Sequence, residues 1–135
     1  SELNMVILYT TASCASCRKA KAWLVEHQID YIQKNIVSNS MTVDELKSIL
    51  RLTEEGATEI ISTRSKTFQD LNINIDELSL NEFYTLIIEH PLMLRRPIML
   101  DEKRLQIGFN EEEIRKFLPR SVRTFLNIEL QKLAN

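Results

Sequence analysis

Both cysteines of this 135-residue chain fall in one tetrapeptide, Cys14-Ala15-Ser16-Cys17. Thiols three residues apart on a first helical turn face the same side, within reach of the ~5.5 Å Cα separation that a disulfide prefers. The free N–H groups and positive dipole end of such a turn stabilise a thiolate, and Arg18, Lys19 and Lys21 add cationic charge nearby. The spacing therefore predicts a reactive Cys14 of lowered pKa. A zinc half-site and a pair of inert core thiols are the competing readings. Zinc needs two more ligands, and His27 and His90 lie far apart without paired spacing, so no metal is expected. No other cysteine remains to build a disulfide framework, which excludes a stapled secreted scaffold.

The elements that must position these thiols can be read on either side. Met5-Val6-Ile7-Leu8-Tyr9 is a β-rich run, Thr10 to Ser13 is turn-like, and Ala20, Trp23, Leu24 and His27 repeat at three and four residues. Strand, loop and helix are followed by an alternating second strand, Asp30 to Ile36, completing a βαβ start. Thr42-Val43-Asp44-Glu45 and Ser79-Leu80-Asn81-Glu82 are capping boxes. The first opens a helix through Leu46, Ile49, Leu50 and Leu52 and reads as stopped by Glu55-Gly56, with Gly56 a left-handed C′ residue. The second opens a helix through Phe83, Leu86 and Ile87 that ends at Pro91. Phe68 and Leu71 lie at helical spacing between them. Arg96 to Leu100 and Arg104 to Gly108 read as a hairpin around the turn Asp101-Glu102-Lys103. Asn110 followed by three glutamates reads as a helix start for Ile114, Phe117 and Leu118. Pro119 opens a further amphipathic segment with Val122, Phe125, Leu126, Leu130 and Leu133 on one side.

The expected fold is one α/β domain over residues 5–135: a thioredoxin-like mixed sheet, with a redox part at 5–37 and 96–135 and a helical insertion at 38–95. Residues 1–4 read as a cloning remnant ahead of Met5. Seventeen Lys and Arg against nineteen Asp and Glu leave a net charge of −2, which disfavours direct binding to DNA phosphates. Apolar stretches are only a few residues long, so no membrane span is expected, and the protein is read as cytoplasmic. Trp23 is expected in the core, and His27 and His90 at helix C-termini, where the dipole accounts for them. The basic group Arg115, Lys116, Arg120 and Arg123 is expected to be a solvated face.

The Cys14 loop, Leu50 to Gly56, Glu59 to Lys66, Leu94 to Ile98, Asp101 to Gln106 and the terminal Leu133-Ala134-Asn135 together resemble the arsenate-reductase-like (ArsC) branch of the thioredoxin fold. Within it they resemble the Spx family of redox-sensing transcription regulators from low-GC Gram-positive bacteria, along the chain from Met5 to Asn135. That resemblance implies a regulator that binds the C-terminal domain of the RNA polymerase α subunit and meets DNA only within the polymerase complex. It implies Cys14 and Cys17 as a thiol/disulfide switch, Arg96 as a residue sensing it, and Gly56 and Arg51 as polymerase contacts. It further implies a cis peptide before Pro97 that brings Arg96 near Cys14, and a C-terminal tail recognised by the ClpXP protease, with or without an adaptor.

The same resemblance carries an enzyme alternative, an arsenate reductase or small dithiol oxidoreductase. The reductases use one cysteine, matching Cys14, and three arginines; Arg64 and Arg96 match two of them, and the third position, near Phe109, holds no arginine. Loss of one charged donor at a buried anion site costs roughly 1.5 to 3 kcal/mol. Cys17 in place of the enzymes' serine gives Cys14 an internal resolving partner, so oxidation ends in a closed disulfide. The reading is therefore a non-enzymatic regulator with no cofactor. A binding protein whose thiols are incidental is the third class.

Overall fold

The computed structural model describes residues 5–134; the proposed remnant, residues 1–4, and the terminal Asn135 lie outside them. A four-stranded mixed sheet runs in the order β2-β1-β3-β4, with β1 at Val6–Thr10, β2 at Tyr31–Asn35, β3 at Ile98–Leu100 and β4 at Leu105–Ile107. β1 pairs in parallel with β2 through the crossover helix α1 (Ala15–Glu26), and antiparallel with β3, which forms the hairpin with β4. The expected mixed sheet is therefore present, with strand ends shifted by one or two residues.

Alternation along the strands divides the core in two. Val6 and Leu8 of β1 and Met99 of β3 point to one face, where Ala20, Trp23 and Leu24 of α1 pack with Ile114, Phe117 and Leu118. Tyr9, Ile98 and Leu100 point to the other, against four helices: α2 (Val43–Arg51), α3 (Ala57–Ile60), α4 (Lys66–Leu71) and α5 (Leu80–Glu89). Leu46, Ile49, Ile60, Phe83 and Ile87 fill that side. Both capping boxes form: the Thr42 and Ser79 hydroxyls accept from the N–H groups of Glu45 and Glu82, whose carboxylates accept in return. Trp23 is in the core as expected, stacked on His27 with ring centroids 4.2 Å apart.

Two local expectations are corrected, and the last helix packs less of its apolar side than its length allows. Gly56 does not end the preceding helix. α2 stops at Arg51, where the Thr53 hydroxyl donates to Leu50 O at 2.6 Å and accepts from the Gly56 N–H at 3.1 Å. The Glu59 carboxylate then accepts from the N–H groups of Glu54 and Glu55. Side chains thus turn the chain, and Gly56, at φ 87° and ψ −146°, is the residue entering α3. The segment after Asn110 is a short 3₁₀ turn, Glu113–Phe117, not an α-helix. Asn110 does cap it, but Pro119 forces Leu118 into extended backbone and cuts the segment off after one apolar repeat. The last helix, α6 (Arg120–Ala134), forms as expected, yet of its apolar residues only Leu126 packs on the core, while Phe125, Leu130 and Leu133 stay exposed.

Candidate functional site

Strand β1 delivers the chain to Thr10, the turn through Ser13 reverses it, and Cys14 becomes the N-cap of α1. In that position the Cys14 Sγ accepts the Cys17 N–H at 3.3 Å, as a Ser or Asp would at an ordinary N-cap. Cys14 is half-buried and reachable from solvent, whereas Cys17 is 4% exposed; both are free thiols. The two environments push the thiols apart. Burial opposes ionisation of Cys14, but hydrogen bonds from the Cys17 thiol and N–H, the Arg96 charge and the Ser16 N–H together outweigh it and hold Cys14 below the usual thiol value. Cys17 is pushed up to about 11, first by burial and then by its hydrogen bond to Cys14, against which the Thr11 N–H and Arg96 pull.

The cation that acts on Cys14 is therefore Arg96, from the far side of the loop. Arg18, Lys19 and Lys21, next to it in sequence, contribute nothing resolved to its ionisation. Arg96 precedes a cis peptide bond to Pro97, and its Nη1 donates to Leu92 O and Leu94 O, both at 2.9 Å. Those carbonyls hold the guanidinium beside a cavity of about 280 Å³ lined by Cys14, Ser62, Leu94, Arg95 and Arg96. Ser62 reaches this cavity because the chain after α3 pairs with the approach to β3. Ile61 bridges Leu94, Ser62 N–H donates to Met93 O at 2.7 Å, and Arg95 N–H donates to Ile60 O at 2.9 Å.

The other expected site residues separate into groups. Arg64 lines a neighbouring cavity of about 430 Å³ with Thr58, Ser62, Thr63 and Arg95, and does not line the Cys14 cavities. Arg51 is exposed at the last turn of α2, and Gly56 follows the turn beyond it. Sequence reasoning missed Ser62, which carries no local signal, and Arg95, signalled only by its adjacency to Arg96. A further cavity of about 220 Å³ on the helix side of Cys14 is lined by Thr10, Thr11, Ala12, Ser13, Cys14, Cys17, Arg18, Lys21 and Gln33. Of the basic group near the C-terminus, Lys116 is occupied, its Nζ donating to Leu105 O at 2.9 Å. Among the described residues no cluster of three or more His, Cys, Asp or Glu could hold a metal, and no helix is long and apolar enough to cross a membrane.

The four-stranded mixed sheet with its crossover helix is shared with solved ArsC-type structures. An ArsC family related protein from Bacteroides fragilis superposes with a TM-score of 0.72 at 26% identity, covering 83% of this chain and 96% of that one. An arsenate reductase from Vibrio cholerae gives 0.72 at 24% identity over 84% and 98%, a likeness of fold. Residues 9–117 match the ArsC family model. The chain is 98% identical over 131 residues to the global transcriptional regulator Spx 2 of Bacillus cereus, covering 97% of this chain and 100% of that one. It is 60% identical, with the same coverage, to the global transcriptional regulator Spx of Bacillus subtilis. The chain belongs to the ArsC family and, within it, to the Spx group.

Proposed function

We propose that the protein is a transcription regulator, not an enzyme, that binds the C-terminal domain of the RNA polymerase α subunit under the control of a Cys14–Cys17 thiol/disulfide switch. The observation that carries the switch is the unequal thiol pair: an accessible Cys14 with stabilised charge, and a buried Cys17 whose N–H already contacts the Cys14 sulfur at 3.3 Å. Peroxide would be attacked by the Cys14 thiolate, giving a sulfenic acid and hydroxide. The Cys17 thiol then attacks that sulfur, closing the disulfide and releasing water. Closure removes the negative charge that Arg96 faces, so Arg96 is the residue placed to register it.

The names of the full-length relatives support regulation of transcription, and the α-subunit partner rests on the family resemblance. In this reading Arg51 and Gly56, at the end of α2 and the start of α3, form the polymerase contact, and Arg64 belongs to the cationic surface beside the switch. The tail that includes Leu133 and Ala134 is the segment offered to the ClpXP protease, with or without an adaptor. Against the reductase, Arg64 stands in a different cavity from Cys14 and no arginine occupies the position near Phe109.

Calorimetric titration with the isolated C-terminal domain of the polymerase α subunit, once with excess reductant and once after peroxide, tests the proposal. A stoichiometric complex in either state is expected, and a difference between states measures how far the thiols tune affinity. No binding in both states, with arsenate turnover that survives Cys17→Ser, would overturn it in favour of the reductase.

A further inference from the structure

Two cavities meet at Cys14, and their cations differ in what else they do. On one side Arg95 and Arg96 are tied to main-chain carbonyls, Arg95 Nη1 to Glu59 O at 3.1 Å and Arg96 Nη1 to Leu92 O and Leu94 O. On the other, Arg18 and Lys21 are exposed and make no ion pair or side-chain hydrogen bond among the described residues. That second cavity contains both cysteines, the hydroxyl-bearing Thr10, Thr11 and Ser13, and the amide of Gln33, and no Asp or Glu lines it. With no acidic partner in the lining, the charges of Arg18 and Lys21 are available to a bound group. A nucleophilic sulfur, two unspent cations and neutral hydrogen-bonding walls around about 220 Å³ suit a small molecule that carries carboxylates and offers sulfur to the thiol.

We propose that this cavity is a thiol-exchange site for carboxylate-bearing low-molecular-weight disulfides, held by Arg18 and Lys21 while they react at Cys14. The inference deepens the switch proposed above by naming a second class of oxidant, and it rests on that reading. The Cys14 thiolate attacks one sulfur of the small disulfide, forming a mixed disulfide and expelling one small thiolate. Cys17 then gives its proton to solvent and attacks the Cys14 sulfur, closing the internal disulfide and expelling the second small thiolate. One small disulfide is reduced to two thiolates, and the Cys14/Cys17 dithiol is oxidised. Because both cysteines line the same cavity, the two exchanges take place at one site.

The test follows exchange by quenching with an alkylating agent and weighing the intact protein. Glutathione disulfide, its ethyl ester with the carboxylates blocked, and the cationic cystamine serve as probes. Cys17→Ser traps the mixed disulfide, so that the first step is timed alone. With two cations several ångströms from the bound carboxylates, glutathione disulfide is expected to react about 5-fold faster than its ester in dilute buffer, a margin that salt erases. In an Arg18→Glu/Lys21→Glu variant, whose altered side chains are exposed, the order is expected to reverse in favour of cystamine. Equal rates for glutathione disulfide and its ester, or an unreversed order in the variant, would overturn the inference. If peroxide still closes the Cys14–Cys17 disulfide in that case, the switch stands and only the exchange site falls; if peroxide fails to close it in the unaltered protein, the switch falls and the second exchange with it.

Discussion

Substituting Gly56 by alanine separates a folding role from a binding role. At φ 87° and ψ −146° the residue occupies backbone space that is essentially restricted to glycine, and a Cβ built there meets nothing within 4 Å. No steric clash with a neighbour enters, so the whole penalty is conformational, roughly 1 to 3 kcal/mol. The chain can also relax by moving the turn, but that stretches the Gly56 N–H bond to Thr53 Oγ1 and the Glu59 contacts that shape it, each worth about 1 kcal/mol. For a domain this size, with a urea slope near 1 to 3 kcal/mol/M, Gly56→Ala should lower the unfolding midpoint by about 1 M without altering the slope. Even 2 kcal/mol taken from a typical stability of about 5 to 15 leaves nearly every molecule folded. Loss of α-subunit binding by this variant would therefore report a surface that the partner approaches closely and a methyl group obstructs, not an unfolded protein. A midpoint unchanged within about 0.2 M would refute the backbone argument, because no compensating contact is available to the added methyl.

Other perturbations test the remaining parts. Iodoacetamide should label Cys14 well before Cys17, with a pH midpoint below that of a free thiol; Arg96→Gln should raise that midpoint, and an unmoved midpoint would remove Arg96 from the site. Glu45→Ala strips the buried Tyr9 hydroxyl of its acceptor at 2.7 Å and should cost about 1 to 3 kcal/mol in urea unfolding. Glu45 titrates below its ordinary value: burial opposes this, but the bonds from Tyr9, the Thr42 N–H and Lys34 prevail. Its stabilising contribution is therefore complete above the ordinary value of 4.5 and is lost as pH falls through the lower folded value, so Glu45→Gln should flatten the acid limb of the stability profile. Leu24→Ala, at a fully buried position on α1 beneath the sheet, should cost about 2 to 5 kcal/mol by denaturant unfolding and leave the Cys14 labelling midpoint unchanged.

What the sequence made legible follows the range of the interactions involved. Capping boxes at Thr42 and Ser79, the β-rich run Met5 to Tyr9 and the dithiol at a helix mouth are written in neighbouring residues, and all appear within a residue of where they were expected. Gly56 misled because a glycine after an amphipathic run suits a helix C-terminus equally well; the decision lay with Thr53 and with Glu59, which reaches back four and five residues. The segment after Asn110 read as a helix because its cap and its glutamates are real, but Pro119 and the grip of Arg104 Nη1 on Lys116 O fix it as a short turn. Around Cys14 the local cations Arg18, Lys19 and Lys21 were visible in the sequence. Arg96 comes from a distant segment, as do Ser62 and Arg95, and the pairing of Ile61 with Leu94 and its flanking backbone bonds join those segments beside the thiol.

This assembly from distant segments gives the proposed switch a physical output. When Cys14 is ionised, its sulfur, the Cys17 N–H that it accepts and the Arg96 guanidinium form a nearly neutral group. In the reduced protein Arg96 Nη1 is anchored on Leu92 O and Leu94 O and not on the sulfur, so the proposed disulfide would not take away its partners. Closure would remove the thiolate's negative charge and leave the positive charge of the guanidinium unmatched. A surface that also carries Arg95, Arg64, Arg18 and Lys21 would then become more positive by up to one charge, next to cavities that no carboxylate lines. A net charge of −2 disfavours free DNA, so such a local change would matter only where another protein already holds the surface against phosphates. That is the situation of a regulator seated on polymerase at a promoter: oxidation would then strengthen engagement with DNA more than binding to the polymerase itself.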